Sequence, residues 1–204
     1  LPEGAEQEMI DAGVPDWYIG SCKKIKYLFP KAHAVAYVMM AFRIAWFKVY
    51  HPLAFYAAYF YRRSQKGGFD AVLMTQGMEA IMANMDAIET NENASDKDED
   101  LLTTMEVVYE YYLRGFDFLP IDIYKSHATK FLVEDGKILP PFVAISGLGE
   151  NAAWDLMRGR EGKTFLSIEE VAAACPKVSK THIQMLKDAG AFGSLPDTSQ
   201  ISLF

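Results

Sequence analysis

Residues Lys23 to His51 read KKIKYLFPKAHAVAYVMMAFRIAWFKVYH. A basic, aromatic approach meets Pro30, and an apolar run with helical spacing follows at once. Proline lacks a backbone donor and has a fixed φ, so Pro30 ends one helix, over 15–29, and opens the next, over Lys31–Tyr50. Asp16 near the start of the first helix and Lys23, Lys24 and Lys26 near its end match the helix dipole. Lys31 and His33 fall in the first turn of the second helix, with Tyr37 one turn beyond. Free N–H groups and the positive dipole end meet there, so the pair and the helix end suit a phosphate. Ala34, Ala41 and Ala45 form a stripe of small residues that lets another helix approach closely. Val38, Met39, Phe42, Trp46 and Phe47 are expected in the core. Arg43 lies among them and calls for an acidic partner or a phosphate.

The fold class is mainly α. Pro52 starts a third helix, over 53–63, and Gly67-Gly68 closes this section. Weaker periodicity predicts a helix over 69–89, a polar loop over 90–100, and a helix over 101–114 capped by Gly115. The loop's Asp96, Asp98 and Asp100 alternate as in a calcium loop. Leu101 stands where that loop needs Gly and Val107 where it needs Glu, so an EF-hand is rejected. After Phe116 the period changes. Strands are expected over 121–124 and 130–134, then a hairpin turn at Asp135-Gly136 and a return over 137–139. Short helices follow, the last over 181–189 with Gly190 as its cap. These breaks predict three parts: 1–117, then 118–195 as a smaller α+β unit, then a flexible tail over 196–204.

The 204 residues are 50% hydrophobic, enough to bury a core. Net charge is −7, which alone argues against nucleic acid. The average hides an uneven division. Residues 1–68 carry 9 Lys/Arg against 5 Asp/Glu, residues 69–117 carry 2 against 12, and residues 118–204 carry 9 against 10. An acidic segment thus masks a basic first third. Cys22 and Cys175 match no metal-ligand spacing, and a reduced, cytoplasmic setting is expected. The run at 32–50 is apolar enough to suggest a membrane span, but Arg43 near its middle would be costly in lipid. A buried helix of a soluble protein is the expectation, with no membrane partner.

The sharpest local motif spans Ile145 to Ala153, ISGLGENAA. Gly-apolar-Gly with Ala four residues later, opening an amphipathic segment, is the hairpin of a helix-hairpin-helix. Its glycines let the backbone turn tightly and approach a DNA phosphate, which accepts from the N–H groups starting the second helix. Ser146, Gly147, Leu148, Gly149, Glu150 and Asn151 would form this contact. Arg158, Arg160 and Lys163 follow as further phosphate contacts. Lys180 and His182 start the last helix, where they either touch phosphate or simply face water, and Lys180 is kept as a duplex contact. Such contacts hold any duplex without reading it. At the terminus, Gln200-Ile201-Ser202-Leu203-Phe204 ends a polar tail in two large apolar residues, which suit a pocket on a partner. No Ser/His/Asp set, Cys/His dyad or metal cluster is convincingly spaced, so neither catalytic residues nor metal ligands are expected in this chain. Two-metal nucleotidyl transfer needs close, buried carboxylates, and the acids at 96–100 lack an apolar surround.

Taken together, Phe29-Pro30-Lys31-Ala32-His33-Ala34, Tyr37, Arg43 and the run from Trp46 to Pro52 closely resemble the fingers of bacterial C-family replicative DNA polymerases. The Gly-Leu-Gly hairpin and the terminal QISLF are similar to the PolC type, and the resemblance covers the whole chain in the family's order. It implies a DNA-directed DNA polymerase whose metal-binding aspartates, and hence Mg2+, belong to a palm upstream of this chain. It implies that Lys31 and His33 contact the triphosphate of an incoming dNTP, that Tyr37 and Phe29 line the nascent base pair, and that Arg43 assists. It implies partners too: primer-template DNA, a sliding clamp bound by Gln200 to Phe204, and the palm and thumb of the same enzyme. The family usually has Leu where Ile201 stands. On this reading the chain alone does not polymerise. The alternative is a standalone DNA- and partner-binding module without nucleotide chemistry.

Overall fold

In a computed structural model the protein is described over residues 1–25 and 31–199. It forms two units, Leu1–Trp46 and Phe47–Phe204. In the first, α1 (Ala5–Asp11) and α2 (Asp16–Lys24) pack against each other. Lys23 pairs with Glu6 across them. The helix expected over 15–29 leaves helical geometry at Ile25, which is extended. Helix α3, Lys31–Tyr50, runs its expected length, but none of its residues is buried. Met39, Phe42 and Trp46 are 51, 72 and 49% exposed, and Val38 and Phe47 are exposed as well. The core assignment of these residues, and of a buried helix, is therefore corrected. The reason is one of size: α1 and α2, with 7 and 9 residues, pair with each other, and among the described residues nothing buries a helix of 20. By length and composition α3 is also apolar enough to cross a membrane.

The second unit takes its shape from aromatic packing. Helix α4 (Pro52–Ser64) has His51 at its N-cap and Pro52 as first residue, where a missing N–H costs nothing. Its Tyr56 and Phe60 are fully buried. Helices α5 (Ala71–Met74) and α6 (Met78–Glu89) divide the single helix expected over 69–89. Gly77, at φ 98°, makes the break, and Asp70 caps α5 by accepting from the Val72 amide. Helix α7 (Asp96–Leu113) begins five residues earlier than expected. Ser95 accepts from the Asp98 amide while the Asp98 carboxylate accepts back, a capping box that turns the acidic run into a first turn.

The boundary expected near residue 117 falls inside this unit. Tyr111 contacts Phe118 with ring centroids 4.7 Å apart, Phe60 meets Phe118 at 5.5 Å, and Phe69 meets Phe131 at 5.0 Å. The core is continuous through that position. Near the chain's entry, Glu110 accepts from Lys48 at 2.6 Å and from the Tyr56 hydroxyl at 3.0 Å. Burial raises the Glu110 pKa, but these hydrogen bonds outweigh it and leave it lowered.

Beyond Gly115 (φ 79°), strands β1 (Leu132–Glu134) and β2 (Lys137–Leu139) pair antiparallel, Val133 opposite Ile138. Asp135 and Gly136 turn with φ 51° and 74°, as the hairpin signal requires. No strand forms over 121–124. Ile121 and Ile123 are buried in alternation, but the Asp122 carboxylate accepts from the Tyr124 and Lys125 amides and closes a turn. A short 3-10 turn (Phe142–Ala144) leads through the hairpin to α8 (Glu150–Gly159), followed by α9 (Ile168–Ala174) and α10 (Lys180–Asp188). Residues 196 and 197 are pinned rather than loose. The carbonyls of Pro196 and Asp197 accept from the Ile168 and Glu169 amides that open α9, at 2.9 and 3.1 Å. The Asp197 carboxylate also pairs with Lys187 at 2.6 Å.

Candidate nucleic-acid interface

The hairpin is built as its sequence suggests, with its two glycines doing different work. Gly147 has φ 88°, a conformation costly to other residues, and a Cβ there would lie 2.8 Å from Met185 Cε. Gly149 is in ordinary extended geometry at the N-cap of α8, and a Cβ there would meet nothing within 4 Å. Its bareness therefore opens space outside the protein. Leu148 between them is buried and anchors the turn. The amides of Gly149, Glu150 and Asn151 donate to no acceptor among the described residues. Ser146, Glu150 and Asn151 are exposed beside them. The result is a ring of bare N–H groups at the positive end of a 10-residue helix, suited to a phosphate.

A cavity of about 280 Å3 adjoins the hairpin, lined by Ser64, Gly67, Lys97 and Ser146 to Gly149. Lys97 was not legible as a site residue because acids surround it. The structure engages two of those acids locally: Asp98 accepts from Ser95, and Asp100 accepts from Arg63 at 2.9 Å. Of the two cations in 69–117, Arg114 bonds the Tyr56 hydroxyl and the Lys48 carbonyl, while Lys97 faces the hairpin cavity.

The other expected duplex contacts are spread along the same unit. Arg158, in the last turn of α8, is exposed and only loosely paired with Asp155 at 3.8 Å. Arg160 points inward instead, donating to the Ile123 carbonyl and lying 5.5 Å from the Phe142 ring centroid. Lys180 is exposed at the start of α10. His182 closes a capping box there: its Nδ1 accepts from the Ser179 amide while its own amide donates to Ser179 Oγ. Its role is thus helix capping.

In the first unit, Lys31, His33, Tyr37 and Arg43 are all exposed on α3. His33 and Tyr37 are brought together, their ring centroids 4.5 Å apart and nearly perpendicular. Arg43 lies about 18 Å along the axis from Lys31 and about 120° around it, so the helix does not bring the two together. Its exposure removes the need for a buried counter-charge. Phe29 and Gln200 to Phe204 lie outside the described residues. Among the described residues no group of three or more His, Cys, Asp or Glu side chains could hold a metal ion.

A glycine hairpin that opens bare amides onto solvent, carried on a small helical unit, defines a helix-hairpin-helix protein. A family model described as "Helix-hairpin-helix motif" matches residues 115–200. Over the whole chain the similarity is narrower still. It is 48% identical over 206 residues to "DNA polymerase III PolC-type" of Thermotoga petrophila, covering 100% of this chain and 15% of that protein. It is 49% identical over 200 residues to the protein of the same name from Bacillus subtilis, covering 98% of the chain and 14% of the relative. The Bacillus cereus protein is 47% identical over 205 residues. The chain belongs to this PolC-type DNA polymerase III family, and it spans about 15% of the length of the relatives it matches.

Proposed function

We propose that this chain is the part of a replicative DNA-directed DNA polymerase that positions the incoming dNTP, grips duplex DNA and ties the enzyme to its sliding clamp. The observation that carries the reading is the hairpin at 147–149, with free amides at the start of α8, in a chain similar throughout to PolC-type polymerases. The grip is electrostatic and blind to sequence: the amides and Arg158, Lys180 and Lys97 meet phosphates, not base edges. Lys31 and His33, at the start of α3, offset triphosphate charge and orient it for in-line attack, with Tyr37 and Phe29 against the nascent base pair. Gln200 to Phe204 take the clamp, with Ile201, Leu203 and Phe204 as apolar anchors. The exposed apolar face of α3 is covered by the palm and thumb of the parent enzyme. Mg2+ and the carboxylates that hold it belong to that palm, so no catalytic step is assigned to residues of this chain, and its place is cytoplasmic.

Duplex binding by the purified 204-residue chain tests the central reading. Affinity should be independent of sequence and fall steeply with salt. Sequence-selective binding, or none at low salt, would refute it. Crosslinking of a reactive dNTP to Lys31 in the full-length enzyme tests the nucleotide role, and loss of clamp binding on deleting Gln200 to Phe204 tests the tail. Template-directed incorporation by the chain alone would contradict the division of labour.

A further inference from the structure

We infer that the cleft between Tyr124 and Trp154 receives an unpaired nucleobase, so that this chain holds a single-stranded end as well as a duplex. The inference rests on the hairpin reading for what brings the DNA there, and on the cleft itself for what happens next. The cleft encloses about 420 Å3, lined by Tyr124, Trp154, Met157, Arg158, Arg160 and Glu161, within the range of sites for small ligands.

Both aromatic walls are set in advance. The Tyr124 hydroxyl accepts from the Phe165 amide at 3.0 Å, and its ring stacks on Phe165 with centroids 6.1 Å apart. Trp154 Nε1 donates to Glu150 at 3.0 Å, and His127 meets the indole edge-on at 5.3 Å. Neither ring is loose, so little ordering cost stands against a ligand that stacks on them.

The charges name the ligand. Arg158 stands at the rim with a side chain 61% exposed, free to swing to a phosphate. Arg160 lies deeper, held on the Ile123 carbonyl. Glu161 offers a carboxylate that accepts from an exocyclic amine, as cytosine N4 supplies. Aromatic faces beside arginine are the recurring platform for single-stranded bases, which stack regardless of identity. Placement favours DNA over a free nucleotide. Trp154 and Arg158 lie on one face of α8, the helix whose first amides form the hairpin site. Gly149 and Arg158 are about 13.5 Å apart along the axis, about four steps of a stacked strand.

The test uses the whole chain and two probes: a blunt duplex and the same duplex with a six-nucleotide oligo-dC tail carrying one 2-aminopurine. The tailed duplex should bind about 5- to 150-fold tighter, the range one stacked base supplies, with quenched 2-aminopurine fluorescence. Tyr124→Leu should remove that increment and the quenching while leaving blunt-duplex affinity unchanged. Equal affinity for the two probes, or an equal loss on both in the variant, would overturn the inference. If Gly149→Ala abolishes blunt-duplex binding but the tail alone is still quenched in a Tyr124-dependent way, the cleft stands without the hairpin. If neither duplex binds, the hairpin reading fails, and the cleft is then judged on the free single strand, where unquenched fluorescence refutes it.

Discussion

Replacing each hairpin glycine by alanine should separate folding from binding. At Gly147 the φ of 88° places an added methyl in a strained region and 2.8 Å from Met185 Cε. The left-handed conformation costs about 1–2 kcal/mol for a residue with a Cβ, and the flexible methionine end can shift to relieve the contact. A loss of that size lowers the midpoint of thermal unfolding by about 2–4 °C per kcal/mol in a chain of this length. At Gly149 the backbone is already ordinary and a Cβ meets no protein atom within 4 Å, so stability should not change. The methyl would instead stand where a phosphate must approach the Gly149, Glu150 and Asn151 amides. Losing charge-assisted hydrogen bonds of about 1.5–3 kcal/mol predicts duplex affinity reduced by about 10-fold or more. Thermal melts and fluorescence anisotropy with a labelled duplex at fixed salt read both quantities. A Gly149→Ala chain that binds duplex as tightly as the parent, with an unchanged salt slope, would refute the assignment of these amides. A Gly147→Ala chain that melts with the parent would refute the strain argument.

Lys97→Ala should weaken duplex binding without regard to sequence and reduce the slope of log affinity against log salt by about 0.9, the loss of one phosphate contact. An unchanged slope would remove Lys97 from the interface. Gly159→Ala should destabilise the chain by about 1–3 kcal/mol, since the added carbon would lie 2.3 Å from Cys175 Sγ and 3.0 Å from the Ala174 carbonyl. A melt equal to the parent's would show that α8 and α9 can part cheaply. For pH, burial, reinforced by Lys130 and Arg160, pushes the His127 imidazole below its ordinary value, and its Nδ1 accepts from the Thr129 and Lys130 amides. A depressed pKa means the neutral form is favoured in the fold. That contribution is whole above the unfolded value of about 6.5 and fades as pH falls through the folded value. Denaturant midpoints should therefore decline less between pH 7.5 and 5 in His127→Gln than in the parent; parallel declines would contradict this.

What the sequence made legible follows the reach of each signal. The hairpin at 147–149 and the turn at Asp135-Gly136 were legible because glycine chemistry acts within a few residues. The start of α7 was misplaced because a run of acids reads as solvated loop unless Ser95 and Asp98 are seen as a reciprocal cap. The alternation of Ile121 and Ile123 was real burial without a strand, since Asp122 offers the backbone a nearer partner. The continuity of the core through 117 depends on Phe60 meeting Phe118 and Phe131, contacts separated by dozens of residues that leave no local trace. Apolar periodicity in α3 marked Phe42 and Trp46 as residues to be covered, but it does not say by what, and the cover is not among the described residues.

The return of Pro196 and Asp197 onto the first turn of α9 fixes an origin for whatever follows. Each residue of extended chain adds at most about 3.3–3.6 Å of reach, so a span of three residues reaches no more than about 11 Å. A partner that grips residues 200–204 is therefore confined to a small sphere centred beside α9 and α10. In such a sphere, lengthening the leash by a few residues matters as much as the strength of the grip, because effective concentration falls as the span grows beyond the fit. A tether starting at the Lys187–Asp197 pair would set the geometry of such a partner without touching it.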